Sequence, residues 1–420
     1  MTRVAFYFDN QHLPELNYDT ILDGNPGIGG TEYMIMVISR LLQLRDNDIT
    51  PFIYATGRRN QIYNDATVTE VNNITEAIKL SEKEGCEYLI FKHERKLIKD
   101  KSLHINSSVK LIPWCHVFLY EYELDNYNTN PCIYKVVYVG KEQMDLYRDH
   151  ALYKKSTYIF NCINTKKTAQ QEKTIKQNII TYMGAIMPYK GLHWLTDIWP
   201  QINTYFPDAE LYIIGSGKLY GTNHSDLGPY KIAQSDYESY ILKNLTQNGE
   251  ILKNIHFCGI LGQDKEDIIK KSKVCIANPT GNTETFCITA VEMQQMGGFV
   301  VTGVSPGAID TIYNGILVRD KRELKKAIIK VLQDRVNWKN PTEYINNHFS
   351  QDVVIRQWEA LLHGDKTYGV TLSNPFYRFK WLKEIIRILG IHKTCKIPTV
   401  ERILLFIERH FFDLHNNCHY

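Results

Sequence analysis

The chain has no stretch of about 18 uninterrupted apolar residues, so no membrane-spanning helix is expected. Its start, MTRVAFYFDNQH, lacks the apolar core and small-residue cleavage site of a secretory signal, so a cytoplasmic location is expected. Cysteine is unpatterned: nine residues, an odd number, with no Cys-x-x-Cys pair. That argues against a disulfide frame or a zinc site and for idle thiols in a reducing compartment. Neither sign of charge dominates, the net being +3, so nothing in the balance points to nucleic acid. A Gly-x-Gly-x-x-Gly fingerprint is also missing, which makes a nicotinamide dehydrogenase the weakest reading. What is present is ordinary for a globular protein: 44% hydrophobic and 23% charged over 420 residues, a length that fits two domains.

The most informative stretch is Asn278 to Gly298, NPTGNTETFCITAVEMQQMGG. It opens in a turn cluster and is expected to become helical near Thr285, capped by Thr283 or Asn282. The amides of Thr285, Phe286 and Cys287 would then face the loop with the positive end of the helix dipole, an arrangement suited to a diphosphate. Glu284 stands in the loop and Glu292 on the helix, seven residues between them. The plain reading is one acidic loop residue and one solvated helix residue, and the spacing alone is weak. The flanks add weight. KVCIANP reads as a buried strand, and GGFVVTGVSPGAIDTIYNGILV continues with two more apolar runs, so the block is a strand–helix–strand unit.

The first half has the same alternation. VAFYFD is a strand, a Gly/Pro loop ends in GNPGIGGTE, a helix runs from about Thr31 to Leu44, and ITPFIYAT is the next strand. Gly29 and Gly30 leave room for backbone amides to approach an anion, although a Gly-Gly pair is more often a plain turn. A short strand is expected at Glu70 to Ile74, a helix from Ile74 to Glu84, and a strand from Lys110 to Phe118 that brings His116 to its end. A lone His is more often a surface or satisfied core residue. Trp114 and Tyr120 could wall an acceptor, with core packing the plainer use. Ser156 to Asn164 reads as another strand. TKKTAQQEKTIKQ is polar and aperiodic and reads as a linker. Ile179 to Gly184 then forms a strand, Lys190 starts a helix carrying Leu192, Leu195, Ile198 and Trp199, and ELYIIG follows.

These motifs resemble the retaining family-four glycosyltransferases. That family carries roughly P-S-x-x-E-x-F-G-x-x-x-x-E-A-x-A-x-G-x-P-V, matched here by Pro279, Glu284, Phe286, Glu292 and Gly297, with Val300 and Val301 for Pro-Val. Cys287 replaces the usual Gly and Met293 the usual Ala. The family's G-R-x-x-x-x-K-G and later I-x-G-x-G are matched by Gly184, Lys190, Gly191, Gly215 and Gly217, but Ala185 replaces the Arg. One of two expected phosphate cations is therefore missing, with Lys218, Arg58 and Lys141 as unranked substitutes.

The resemblance implies the α/β GT-B fold, two Rossmann-like doubly wound domains facing an interdomain cleft. It places an acceptor-side domain at 1–165, a linker at 166–177, a donor domain at 178–348 and a crossover helix at 349–363. A helical tail occupies 364–420. It implies His116 and Glu284 as catalytic. Gly29, Gly30, Lys190, Phe286, Cys287 and Ile288 would hold the donor diphosphate, and Glu292, Gly215, Gly259, Ile260 and Leu261 the nucleoside. No cofactor and no metal are expected, the donor substrate being a nucleotide-diphosphate-sugar. The acceptor would be a saccharide or a lipid-linked saccharide of surface polysaccharide, lipopolysaccharide or glycolipid synthesis. In the tail, 373–412 combines aromatic and basic residues at helical spacing, which fits either packing on the enzyme or peripheral contact with the inner face of the plasma membrane. A nucleotide-sugar epimerase of the same fold and a non-catalytic nucleotide-sugar-binding scaffold are the alternatives.

Overall fold

Apolar runs buried on both faces need cover on both sides, which parallel sheets obtain from crossover helices. The computed structural model has two such sheets. It describes residues 2–9, 18–26, 28–45, 48–57, 68–103, 105–147, 150–165, 175–217, 227–262 and 264–364. The expected amphipathic tail beyond Gly364, most of the expected linker (166–174), Arg58 and Lys218 lie outside the described residues.

The first sheet contains β1 (Thr2–Asp9), β2 (Ile49–Thr56), β3 (Val68–Glu70), β4 (Tyr88–Lys92), β5 (Lys110–Cys115), β6 (Val136–Tyr138) and β7 (Ser156–Tyr158). Their order is β3-β2-β1-β4-β5-β6-β7, and every pairing is parallel. The associated helices are α1 (Gly30–Leu44), α2 (Ile74–Lys83), α3 (Arg95–Lys99), α4 (Glu121–Thr129) and α5 (Lys141–Asp145). Side chains alternate across the sheet as the pleat requires. Val4, Phe6 and Phe8 join one core with α1, while Ala5 and Tyr7 join another with α2.

The second sheet begins with β8 (Gln177–Met183), followed by α6 (Leu192–Tyr205), β9 (Glu210–Ile214) and α7 (Ser235–Leu242). A small antiparallel pair, β10 (Thr246–Gln247) and β11 (Glu250–Ile251), precedes β12 (Ile255–Gly259) and α8 (Lys265–Lys271). Then come β13 (Ser272–Ala277), α9 (Ile288–Gln295), β14 (Phe299–Gly303), α10 (Pro306–Thr311), β15 (Gly315–Val318) and α11 (Lys321–Leu332). The order is β12-β9-β8-β13-β14-β15, again parallel throughout. Val274 and Ile276 face one core and Cys275 and Ala277 the other.

The chain closes with α12 (Thr342–Phe349) and α13 (Gln351–Leu362), separated at Ser350, whose hydroxyl accepts from Val353 N and caps α13. The α13 helix returns to the first sheet: Trp358 is fully buried, 4.8 Å from Trp114 between ring centroids.

Local boundaries differ from the sequence expectation in ways that have physical causes. The expected strand at Glu70 to Ile74 ends at Glu70, because Asn73 caps α2 by accepting from Glu76 N. The expected Lys110 to Phe118 strand stops at Cys115, so His116 sits one residue beyond the sheet. The expected Ser156 to Asn164 strand stops at Tyr158. The chain then leaves the sheet, and Ile163 N donates to Phe349 O at 2.8 Å, joining the C-terminal helices instead. No helix among the described residues is long and apolar enough to cross a membrane.

Candidate active site

In an open parallel sheet the strand order reverses at one point, and the loops leaving the carboxyl ends there diverge to leave a crevice. The first sheet reverses between β1 and β4, and the second between β8 and β13. Both crevices open into one cleft of about 450 Å3. Its walls include Gly29, Gly30, His116, Lys190, Gly215, Ile260, Leu261, Glu284, Phe286, Cys287, Ile288 and Glu292, from loops far apart in the chain. Of the residues singled out from sequence, Gly259 is not on this wall. It ends β12, and its carbonyl accepts from Gly215 N at 2.7 Å. Gly215 packs so closely that a Cβ there would lie 1.9 Å from Gly184 O.

Glu284 is the best-held acid of the cleft. Lys190 Nζ lies 2.8 Å from its Oε2, Asn278 Nδ2 donates to the same oxygen at 3.0 Å, and Cys287 N donates to Oε1 at 3.0 Å. Burial by itself would raise this carboxyl. The Lys190 ammonium and the two hydrogen bonds more than offset it, holding the pKa below the ordinary 4.5. Lys190 closes a 3-10 turn, Pro188–Lys190, ahead of α6 rather than starting that helix.

The loop after Glu284 corrects the expected helix start. α9 begins at Ile288, not near Thr285, and its N-cap is Cys287 at φ 59°, ψ 55°. Neither Thr283 nor Asn282 is the cap. The Cys287 amide, expected to meet phosphate, is taken by Glu284. The left-handed turn at Cys287 explains why glycine is usual there in the resembling family, since side chains disfavour that region. The thiol is 2% exposed, and burial first, then Glu284, pushes its pKa up to about 12, so it is no nucleophile. Phe286 turns away into the core against Phe160 and Phe349.

His116 is held over Trp114, 4.8 Å between centroids, and its carbonyl accepts from Thr285 Oγ1 of the other lobe at 2.8 Å. Its Nε2 is shut off from solvent without a hydrogen-bond partner. Burial, then the Lys92 ammonium, lowers the imidazole pKa from 6.5 to about 3, so the ring is neutral. Trp114 is core, fully buried, whereas Tyr120 is 56% exposed and stacks under Arg95 rather than packing inside.

The cleft also contains residues that sequence reasoning missed. Lys92 Nζ lies 2.6 Å from Glu32 Oε1, and Lys265 Nζ lies 2.8 Å from Glu292 Oε2. Asn161 is 5% exposed with its Oδ1 buried and unpartnered, and it faces the same space. Lys92 is the last residue of β4, so the carboxyl-end rule for open sheets could have flagged it. Ala185 lines the cleft at the position of the missing cation. Lys141, offered as a substitute, instead stands at the first turn of α5 beside Asp310. Among the described residues no group of three or more His, Cys, Asp or Glu is placed to hold a metal.

Residues 164–350 match the family model described as Glycosyl transferases group 1. No curated protein matches the chain in sequence. Among solved structures, a glycosyltransferase from Rickettsia africae superposes with a TM-score of 0.63 at 13% identity, over 86% of this chain and 98% of that one. A lipopolysaccharide outer core galactosyltransferase superposes with a TM-score of 0.58 at 12% identity, over 86% of this chain and 99% of that one. A trehalose-6-phosphate synthase does so with a TM-score of 0.56 at 11% identity, over 87% and 98%. At such identities these likenesses establish the GT-B fold alone.

Proposed function

We propose, on the premise that residues 164–350 form a group 1 glycosyltransferase domain, that the chain transfers a sugar from a nucleotide-diphosphate-sugar to an acceptor hydroxyl. The observation that carries this reading is the convergence of Gly29, Gly30, Lys190 and Glu284 on one cleft at the two switch points. Breaking a bond from sugar to diphosphate leaves negative charge on the departing nucleoside diphosphate, and catalysis requires a preorganised cation and dipoles where that charge appears. Lys190 is the cation. The glycine turn at the start of α1 lets backbone approach the phosphates.

Glu292 and the Ile260–Leu261 backbone hold the nucleoside. Glu284 accepts from hydroxyls of the transferred sugar and steadies positive charge at its anomeric carbon, with retention of configuration. His116, neutral, accepts or donates one hydrogen bond at Nε2 and orients the same sugar. The chemistry needs no metal in this scheme. The acceptor is a saccharide or lipid-linked saccharide of surface polysaccharide, lipopolysaccharide or glycolipid synthesis. The test is a panel of nucleotide-sugars added to the full chain, since a ligand of the native state raises its melting temperature with affinity. Release of nucleoside diphosphate upon adding an acceptor is expected. Interconversion of the donor without an acceptor would favour an epimerase, and binding without turnover a scaffold.

A further inference from the structure

The two switch points carry matching ion pairs. At the second sheet, Lys190 from the β8 side meets Glu284 from the β13 side. At the first sheet, Glu32 from the β1 side meets Lys92 from the β4 side. Lys190 has a place in the proposed transfer, and Lys92 so far has none.

Three lysines line the cleft, each against a glutamate. Lys265 is engaged with Glu292 at the nucleoside end. Lys92 therefore remains for the opposite end, beside the Gly29–Gly30 turn and His116. Glu32 lies over that turn: a Cβ on Gly29 would come 2.4 Å from Glu32 Oε2. A carboxylate there occupies the approach that a phosphate would take, and two anions cannot share it. Lys92 is the one side-chain partner of Glu32 among the described residues, whereas Glu284 keeps Asn278 and the Cys287 amide if Lys190 lets go. The Glu32–Lys92 pair is thus the more readily exchanged of the two.

The geometry points to Lys92 as a second cation for the leaving group, held ready by Glu32 and passed to the terminal phosphate of the nucleoside diphosphate when donor enters. This rests on the transferase reading and supplies the positive charge that Ala185 leaves out of the second lobe. Exchange of one ion pair for another keeps Lys92 paired in both states. It also couples the glycine turn to occupancy, since Glu32 must turn aside.

The experiment titrates the full chain with UDP, GDP and ADP and the matching monophosphates, without acceptor, in wild type, K92Q, K92R and E32Q. K92Q should bind the preferred diphosphate about tenfold more weakly, the scale of one lost charge-assisted contact. Its monophosphate binding should be unchanged, and K92R should recover most of the loss. E32Q, relieved of the competing carboxylate, should bind diphosphate severalfold more tightly. Melting without ligand checks that each variant folds, and E32Q alone decides the matter if K92Q does not. Diphosphate binding by K92Q equal to wild type overturns the role of Lys92, as does a change confined to acceptor KM or an equal loss for mono- and diphosphate. If wild type binds no nucleoside diphosphate, the transferase reading itself falls.

Discussion

Lys190 and Glu284, 94 residues apart, meet at 2.8 Å with side chains 17% and 14% exposed. The pair joins the loop after β8 to the loop after β13, across the crevice of the second sheet. Removing Glu284 should leave the fold and abolish transfer. E284Q keeps the shape, but its single carbonyl oxygen can accept from only one of Asn278 Nδ2 and Cys287 N, which bond different carboxylate oxygens. It is expected to lose at least about a hundredfold in kcat, in the range of other preorganised charge contacts, with the native fold kept and a melting temperature somewhat below wild type. A variant that keeps turnover would remove Glu284 from the mechanism.

His116 predicts a missing titration. With its pKa near 3, the imidazole does not change charge across the pH range of an ordinary assay, so no inflection near 6.5 from this ring should appear in kcat. NMR of the ring carbons would check it. The sign for stability follows from linkage: the unfolded chain binds the proton below about 6.5 and the native ring does not until about 3. Stability from this residue therefore falls as pH drops through that window. An inflection that vanishes in H116N would contradict the neutral ring.

Cys287 is held at φ 59° where side chains are strained by about 1–2 kcal/mol. C287G relieves that strain but removes a buried sulfur, so the net change should stay within about 1 kcal/mol. C287V adds a branched Cβ in a left-handed turn and should cost about 2 kcal/mol or more. Denaturant midpoints of the two variants test the difference. Equal midpoints would mean that the turn is not left-handed in solution.

Asp310 ties the lobes together: its Oδ2 accepts from Glu142 N, at the first turn of α5, at 2.9 Å. Burial, then Asp145, raises its pKa well above 3.8. The native state therefore holds a proton that the unfolded chain releases, and stability from this group falls as pH rises above 3.8. D310N retains the acceptor without the charge and should be at least as stable as wild type at neutral pH. D310A removes that acceptor and should lose about 1–3 kcal/mol. A destabilised D310N would show that the carboxylate is ionised and needed.

Much of this arrangement was readable in the chain. Apolar runs such as VAFYFD and KVCIANP, separated by amphipathic helices, dictate parallel sheets covered on both faces, and Gly29, Lys190 and Glu284 sit in loops that such sheets bring together. The pairing of Glu32 with Lys92 was not readable, because its partners come from non-consecutive strands and Glu32 looks like any acid in a first helical turn. The late start of α9 was hidden for a different reason. A cysteine gives no local sign of a left-handed turn, and the Glu284 that takes its amide is itself placed by Lys190, 94 residues away. Gly259 ends β12 beside Ile260 and Leu261, with its carbonyl engaged by Gly215 N.

The three lysine–glutamate contacts make the crevice nearly neutral to an approaching solute. Long-range attraction scales with net charge and fades with ionic strength, so capture of the proposed nucleotide-sugar should proceed at an association rate almost indifferent to salt. On the same reading, discrimination from small anions would lie in how long the nucleotide stays.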